Sequence, residues 1–212
     1  IREGEDIQSF YTFPWAGVNI ADGRPMWYDQ NGEIIYSPSG GNFQKAICGS
    51  AAPKWTGGLT NTFSYKGLQI SAQIYFQYGN KIMDSQFRMF ESFGGRSLFN
   101  QDINALNRWK KPGDVTDYPK PVYGNTTYYT ATDRYLFDGS FIRLRNLNIS
   151  YSLPKEWVSK IKMDNVRIFA QGNNLLTITK YKGFDPEVGI SGEPWFGYPN
   201  VKTISIGLDV KF

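Results

Sequence analysis

Asp185 and Glu187 flank Pro186 and make a close carboxylate pair, the residue types that general acid–base chemistry uses. Pro186 between them favours a turn, and their spacing alone sets no distance between an acid and a base. Asp29-Gln30-Asn31-Gly32 has the look of an opening calcium loop but lacks the later ligand positions, including the closing Glu of that motif. A hairpin turn explains the same four residues. His is absent, so these residues build neither a His-based triad nor a zinc site with His ligands. Cys48 is the sole cysteine and has no partner for an internal disulfide, which leaves the redox compartment open. No catalytic residue, metal or cofactor is assigned, and the expectation is a protein that is not an enzyme.

Charge chemistry is also sparse. The net charge of +4 is mild, and apart from Arg108, Lys110 and Lys111 the basic residues are scattered, so no nucleic-acid partner is expected. Arg143 and Arg145 stand out because they share parity with Leu147 in an alternating run. Placed near a membrane interface, they could meet lipopolysaccharide phosphate bidentately; they could also snorkel there without a ligand, or a bulge could turn them inward. The sequons Asn125-Thr126-Thr127 and Asn148-Ile149-Ser150 fit the glycosylation pattern, the second falling within a strand.

Aromatic residues make up 17% of the chain, and many lie between the alternating runs. Trp15, Trp27, Tyr28, Trp109, Tyr123, Tyr128, Tyr129, Trp195 and Tyr198 suit either stacking platforms for a substrate or a protein interface. Packing of the loops against themselves would use the same residues.

What must position these side chains is a set of strands. Mean hydropathy is only −0.43 although 41% of residues are hydrophobic, the mixture expected of strands with one apolar and one wet face. LTNTFSYKGLQISAQIYFQY (59–78) reads as a hairpin turning at Lys66-Gly67, its second strand long enough to cross a bilayer at a tilt. FIRLRNLNISYSL (141–153) alternates next and ends at Pro154, after which a helical turn is expected. Residues 166–174 and 201–212 follow, and QSFYTF (8–13) supplies an earlier strand. The predicted apolar set is Leu68, Ile70, Ala72, Ile74, Phe76, Leu147, Ile149, Tyr151, Ile204, Ile206, Leu208 and Val210. Asn31-Gly32 predicts a type I′ hairpin of its own.

Connections alternate strictly between short, at 66–67 and about 154–165, and long, at about 14–54, 79–140 and 176–200. Long loops at one end and short turns at the other are the layout of outer-membrane barrels. No apolar run reaches the length of a transmembrane helix, which a barrel does not need. About six strands cannot close a barrel, since the smallest have eight, so a larger barrel is expected. The absence of an initial Met fits a segment of something longer.

FDGSFIRLRNLNISYSLP (137–154), VRIFAQGNNLLTITKYKGFDPEVG (166–189) and YPNVKTISIGLDVKF (198–212) resemble the C-terminal end of SusC/RagA-type TonB-dependent outer-membrane transporters. FYTFPWAGV (10–18), PKWTGGLTNTFSYKGLQISAQIYFQYGNKI (53–82) and Arg108-Trp109 fit the same family. The resemblance implies an all-β fold, part of a large antiparallel barrel of about 22 strands with an N-terminal plug outside these residues. It implies import of oligosaccharides or peptides with a SusD-like surface lipoprotein as lid and the TonB complex as energy source. The loop aromatics Trp15, Trp27, Tyr28, Trp109, Tyr123, Trp195 and Tyr198 then become candidate substrate or lid contacts. The alternation Ile204, Ile206, Leu208, Val210 ending in Phe212 becomes a barrel assembly signal. A soluble carbohydrate-binding module or sandwich hydrolase is the competing reading, because it also alternates.

Overall fold

Lys66 and Gly67 close the clearest hairpin of the chain by taking positive φ at both positions, 46° and 85°, the two-residue geometry whose twist matches its flanking strands. The computed structural model describes residues 3–38, 45–91, 93–95, 100–194 and 196–212. These fall into two compact units. One holds the described residues of Ile1–Ala52, Asn80–Asp138 and Val188–Gly197; the other holds Pro53–Gly79, Gly139–Glu187 and Tyr198–Phe212.

The second unit is a five-stranded antiparallel sheet: β1 (Trp55–Tyr65), β2 (Leu68–Tyr78), β3 (Phe141–Ser152), β4 (Asn165–Thr179) and β5 (Thr203–Lys211). Each strand pairs with its neighbour in sequence, so the sheet is a plain meander. Pro154 caps a short helix, Lys155–Val158, in the β3–β4 turn, as its fixed φ and missing N–H favour at a helix start. Among the described residues no helix is long and apolar enough to cross a membrane, whereas strands of nine to fifteen residues match the length a tilted crossing needs.

Register sorts the side chains into rungs. Leu68, Tyr151, Ile168 and Leu208 share one rung, Phe63, Ile70, Ile149, Ala170 and Ile206 the next, and Ala72, Leu147, Gly172 and Ile204 a third. The opposite face carries Thr62, Ser71, Asn148, Gln171 and Ser205, then Thr60, Gln73, Asn146, Asn173 and Thr203. On that wet face Asn146 donates to Asn173 at 2.9 Å and Asn173 to Thr203 at 2.9 Å. The apolar face stays open, with Ile206 79% exposed. Each such side chain gains about 1.5–3 kcal/mol on leaving water, so this face demands an apolar medium.

Three expectations change. The main sheet has five strands rather than about six, because Ser9–Thr12 pairs with Ala46–Ser50 in a separate two-stranded ladder. β4 runs to Thr179 instead of 174, so the loop expected from 176 begins after it. Asn31-Gly32 does not form a type I′ turn. Gly32 alone takes positive φ, and the Asp29 carboxylate accepts from the Asn31 and Glu33 N–H groups at 2.8 Å each, holding a longer turn between Tyr28 and Ile34.

The first unit has its own core. Trp27 and Ile82 are buried, and Trp15 meets Trp27 edge to face with ring centroids 5.7 Å apart. Arg134 lies among the rings of Trp15, Phe93, Tyr118 and Tyr135, its guanidinium carbon 4.8 to 5.4 Å from their centroids, and pairs with Glu91 at 3.0 Å. Burial raises the Glu91 carboxyl, against the pull of Arg134, and pushes the Tyr135 hydroxyl up to about 12. Burial likewise lifts the Cys48 thiol to about 11, so it stays protonated near neutral pH.

Candidate functional site

A double irregularity in the sheet decides where the arginines point. Between Leu144 and Asn146 the pairing slips: Arg145 is an extra residue against β2, and Asn174 with Leu175 together oppose Arg145 in β4. Asn174 takes the left-handed conformation, φ 51°, which Asn tolerates better than most residues. The bulge shifts parity, so Ile142 and Leu144 join the apolar face while Arg143, opposite Tyr75 and Thr177, joins the wet one.

On that face Arg143 is 2% exposed and fully engaged. Its Nε donates to Thr177 Oγ1 at 3.0 Å, Nη1 to Glu187 Oε2 at 2.7 Å and Nη2 to Asp185 Oδ1 at 2.5 Å. Arg145 pairs with the other oxygen of Glu187 and lies over the Tyr75 ring, 3.7 Å from its centroid. Asp185 also accepts from the Glu187 N–H at 2.8 Å, a local turn that Pro186 supports, and from the Asn200 N–H at 2.8 Å. Burial raises the Asp185 carboxyl, yet the donors Glu187 N–H, Arg143 and Asn200 N–H outweigh it and hold it below its usual range.

Two cations and two carboxylates thus balance within one cluster that ties the loop after β4 to the wall of the sheet. The carboxylates are spent on arginines rather than facing each other across a reaction centre. The lipopolysaccharide expectation is corrected by the same geometry: a buried Arg143, and an Arg145 held between Tyr75 and Glu187, both lie on the face away from the apolar rungs. Their shared parity with Leu147 misled because alternation counts residues and a bulge adds one.

The loop aromatics divide by burial. Trp27 is 1% and Trp109 7% exposed, and Trp109 donates from Nε1 to the Ile20 carbonyl at 3.0 Å while Gly23 lies so close that a Cβ there would stand 2.5 Å from its ring. Trp27 and Trp109 are core residues of their unit and not contact residues, and the half-buried Trp15 packs on Trp27, as large rings in long loops tend to find one another. Tyr128 and Tyr129 are half-buried. Tyr28, Tyr123 and Tyr198 are exposed, Tyr198 fully. Trp195 lies outside the described residues. Sequence reasoning passed over Phe184 and Phe196, both exposed loop aromatics, although each stood in a segment already marked as a loop. Ile204, Ile206, Leu208 and Val210 share the apolar face of β5 at the sheet edge, and Phe212 follows it, exposed.

No protein-family model matches the chain. Among characterised proteins, TonB-dependent receptor P3 of Formosa agariphila is 31% identical over 234 residues, spanning 100% of this chain and 23% of that receptor. TonB-dependent receptor SusC of Bacteroides thetaiotaomicron is 26% identical over 217 residues, spanning 100% of this chain and 20% of SusC. Among solved structures, the RagAB peptide importer in its open-open state superposes with a TM-score of 0.83 at 30% identity, over 96% of this chain and 22% of that one. The chain therefore spans about a fifth to a quarter of the length of the relatives it matches.

Proposed function

The chain belongs to the SusC/RagA type of TonB-dependent outer-membrane transporters, as a part of their barrel, and from that premise we propose that it forms the C-terminal wall of a TonB-driven importer of oligosaccharides or peptides. The observation that carries the reading is the two-faced meander, apolar rungs on one face and polar rungs on the other, in a chain that superposes over 96% of its length on a RagAB chain; in a barrel the apolar face meets lipid and the polar face the lumen. A soluble sandwich would cover its apolar face with a second sheet; here that face is open, as the outer membrane requires.

In this reading a SusD-like lipoprotein covers the outer loops, and the exposed Tyr28, Tyr123 and Tyr198 supply lid or substrate contacts. The TonB complex acts through the plug of the longer protein. The charge cluster of Arg143, Arg145, Asp185 and Glu187 holds a loop against the lumen wall so that the loops present one surface to lid and cargo. Ile204 to Phe212 form the strand that seals the barrel and that the insertion machinery reads, so deleting Phe212 impairs assembly more than transport by barrels already formed.

The test uses the full-length transporter with its co-encoded lipoprotein. Purified from native membranes, the pair should carry a glycan or peptide identifiable by mass spectrometry, and deletion of the gene should abolish uptake of that compound. Undiminished uptake after deletion, or release of the protein from membranes by carbonate, would overturn the proposal.

A further inference from the structure

Within the first unit, helix Ser85–Phe90 and the segment around Glu193 line a cleft of about 340 Å³, within the size range of small-ligand sites. The Met83 N–H donates to the Gly192 carbonyl at 2.9 Å, which fixes one side of the cleft against the other. Met83, Met89, Tyr129 and Phe196 give it largely apolar walls. Two of its lining residues are charged, Arg88 and Glu193.

Neither charge is matched among the described residues. Among the described residues, Arg88 and Glu193 enter no salt bridge, with each other or with any third group. Arg88 lies over the Tyr129 ring, 4.7 Å from its centroid, and its Nε is buried without an acceptor. A buried donor without a partner is costly, and such groups in folded proteins call for an explanation. Of the buried polar atoms without a partner among the described residues, those of Trp15, Trp27 and Asn80 are neutral and that of Arg88 is charged, whereas Arg134, also set among aromatic rings, has Glu91 at 3.0 Å.

We infer that this cleft binds a short zwitterionic ligand the size of a dipeptide with apolar side chains, its carboxylate on Arg88 and its ammonium on Glu193. A guanidinium and a carboxylate that line one apolar cleft without pairing are complementary to a ligand carrying both opposite charges. A neutral sugar would hydrogen-bond to these groups without neutralising either charge, and a simple anion would meet Glu193 as a repelling charge. The site goes beyond the import reading: it is a property of the loop unit, whatever cargo the lumen passes.

Titration calorimetry on the full-length transporter in detergent tests it, with leucyl-leucine and its charge-capped form, N-acetyl-leucyl-leucine amide, as probes. The free dipeptide should bind at least ~10-fold more tightly than the capped one, and Arg88→Gln and Glu193→Gln should each weaken the free dipeptide by ~10-fold or more while leaving the capped one unchanged. Equal affinity for the two probes, or an unchanged affinity in either variant, would overturn the assignment. Thermal melting of both variants reports folding, and Glu193→Gln, outside the helix, keeps the test decisive should Arg88→Gln fail to fold. Uptake by cells is read separately, so a failed import assay with intact dipeptide binding sinks the transport reading and leaves this one standing.

Discussion

Arg143 on β3 reaches across to Glu187 in the loop after β4, Nη1 to Oε2 at 2.7 Å, and so joins two parts of the chain 44 residues apart. The same guanidinium holds Asp185, so one side chain anchors both ends of the Asp185-Pro186-Glu187 turn. Removing it as Arg143→Ala leaves Asp185 without a cation and Glu187 with Arg145 alone, and breaking a buried pair costs about 3–5 kcal/mol. The expected result in the full-length transporter is a lower unfolding temperature and faster protease cleavage within 180–200. Arg143→Lys should rescue little, because an ammonium cannot bridge two carboxylates and Thr177 from one planar group.

Acid should open the same loop. Asp185 has a depressed pKa in the folded chain, so its contribution is fully present above the unfolded value near ~4 and is lost as pH falls through the lower folded value. Exchange of the Asn200 amide, which donates to Asp185, should stay slow from pH 7 down to about pH 4, after correction for intrinsic rates, and rise below that. Asp185→Asn should remove the acid step and leave a uniformly weaker lock. An acid step that survives this substitution would assign the effect to another group.

How far these features could be read beforehand depended on whether a local signal stayed in phase. The Lys66-Gly67 hairpin, the apolar rungs of β2 and β5, and those of β3 from Leu147 to Tyr151 follow a period of two without interruption, and burial of one face gives that period its meaning. β4 loses phase at Asn174, where Leu175 and Leu176 fall side by side, so its last four residues, from Leu176, read as loop. The bulge also hid the arginine cluster, because no sequence period announces that two strands bulge at the same level. Residue type alone could not sort the aromatics either. Trp109 and Tyr123 lie in neighbouring Pro-punctuated turns, yet one is buried by Gly23 and Ile20 and the other faces water.

The hairpin turn offers a clean backbone test. Gly67 has φ 85°, and a Cβ there would stand 2.6 Å from the Ser152 carbonyl oxygen, so Gly67→Ala combines backbone strain with a clash against backbone. A cost of about 1–3 kcal/mol is expected, read as a lower urea midpoint for the folded barrel in detergent. Lys66→Asn should act in the opposite direction by a few tenths of a kcal/mol, about the advantage of Asn over other residues at a positive-φ turn position.

Face assignment yields the sharpest contrast, because Leu147 and Asn148 are adjacent on β3 and point opposite ways. Leu147 shares a rung with Ala72, Gly172 and Ile204, whereas Asn148 sits beside Ser71 and Gln171. Leu147→Arg places a cation near the middle of the lipid-facing strand and should cost about 2–4 kcal/mol, while Asn148→Arg points the same cation into the wet lumen and should cost little. Heat-modifiable mobility of the folded barrel on gels, with urea midpoints for both variants, measures the difference. Equal destabilisation by the two would mean that the apolar rungs do not face lipid, and with that the placement of Arg143 and Arg145 on the lumen wall would fall as well.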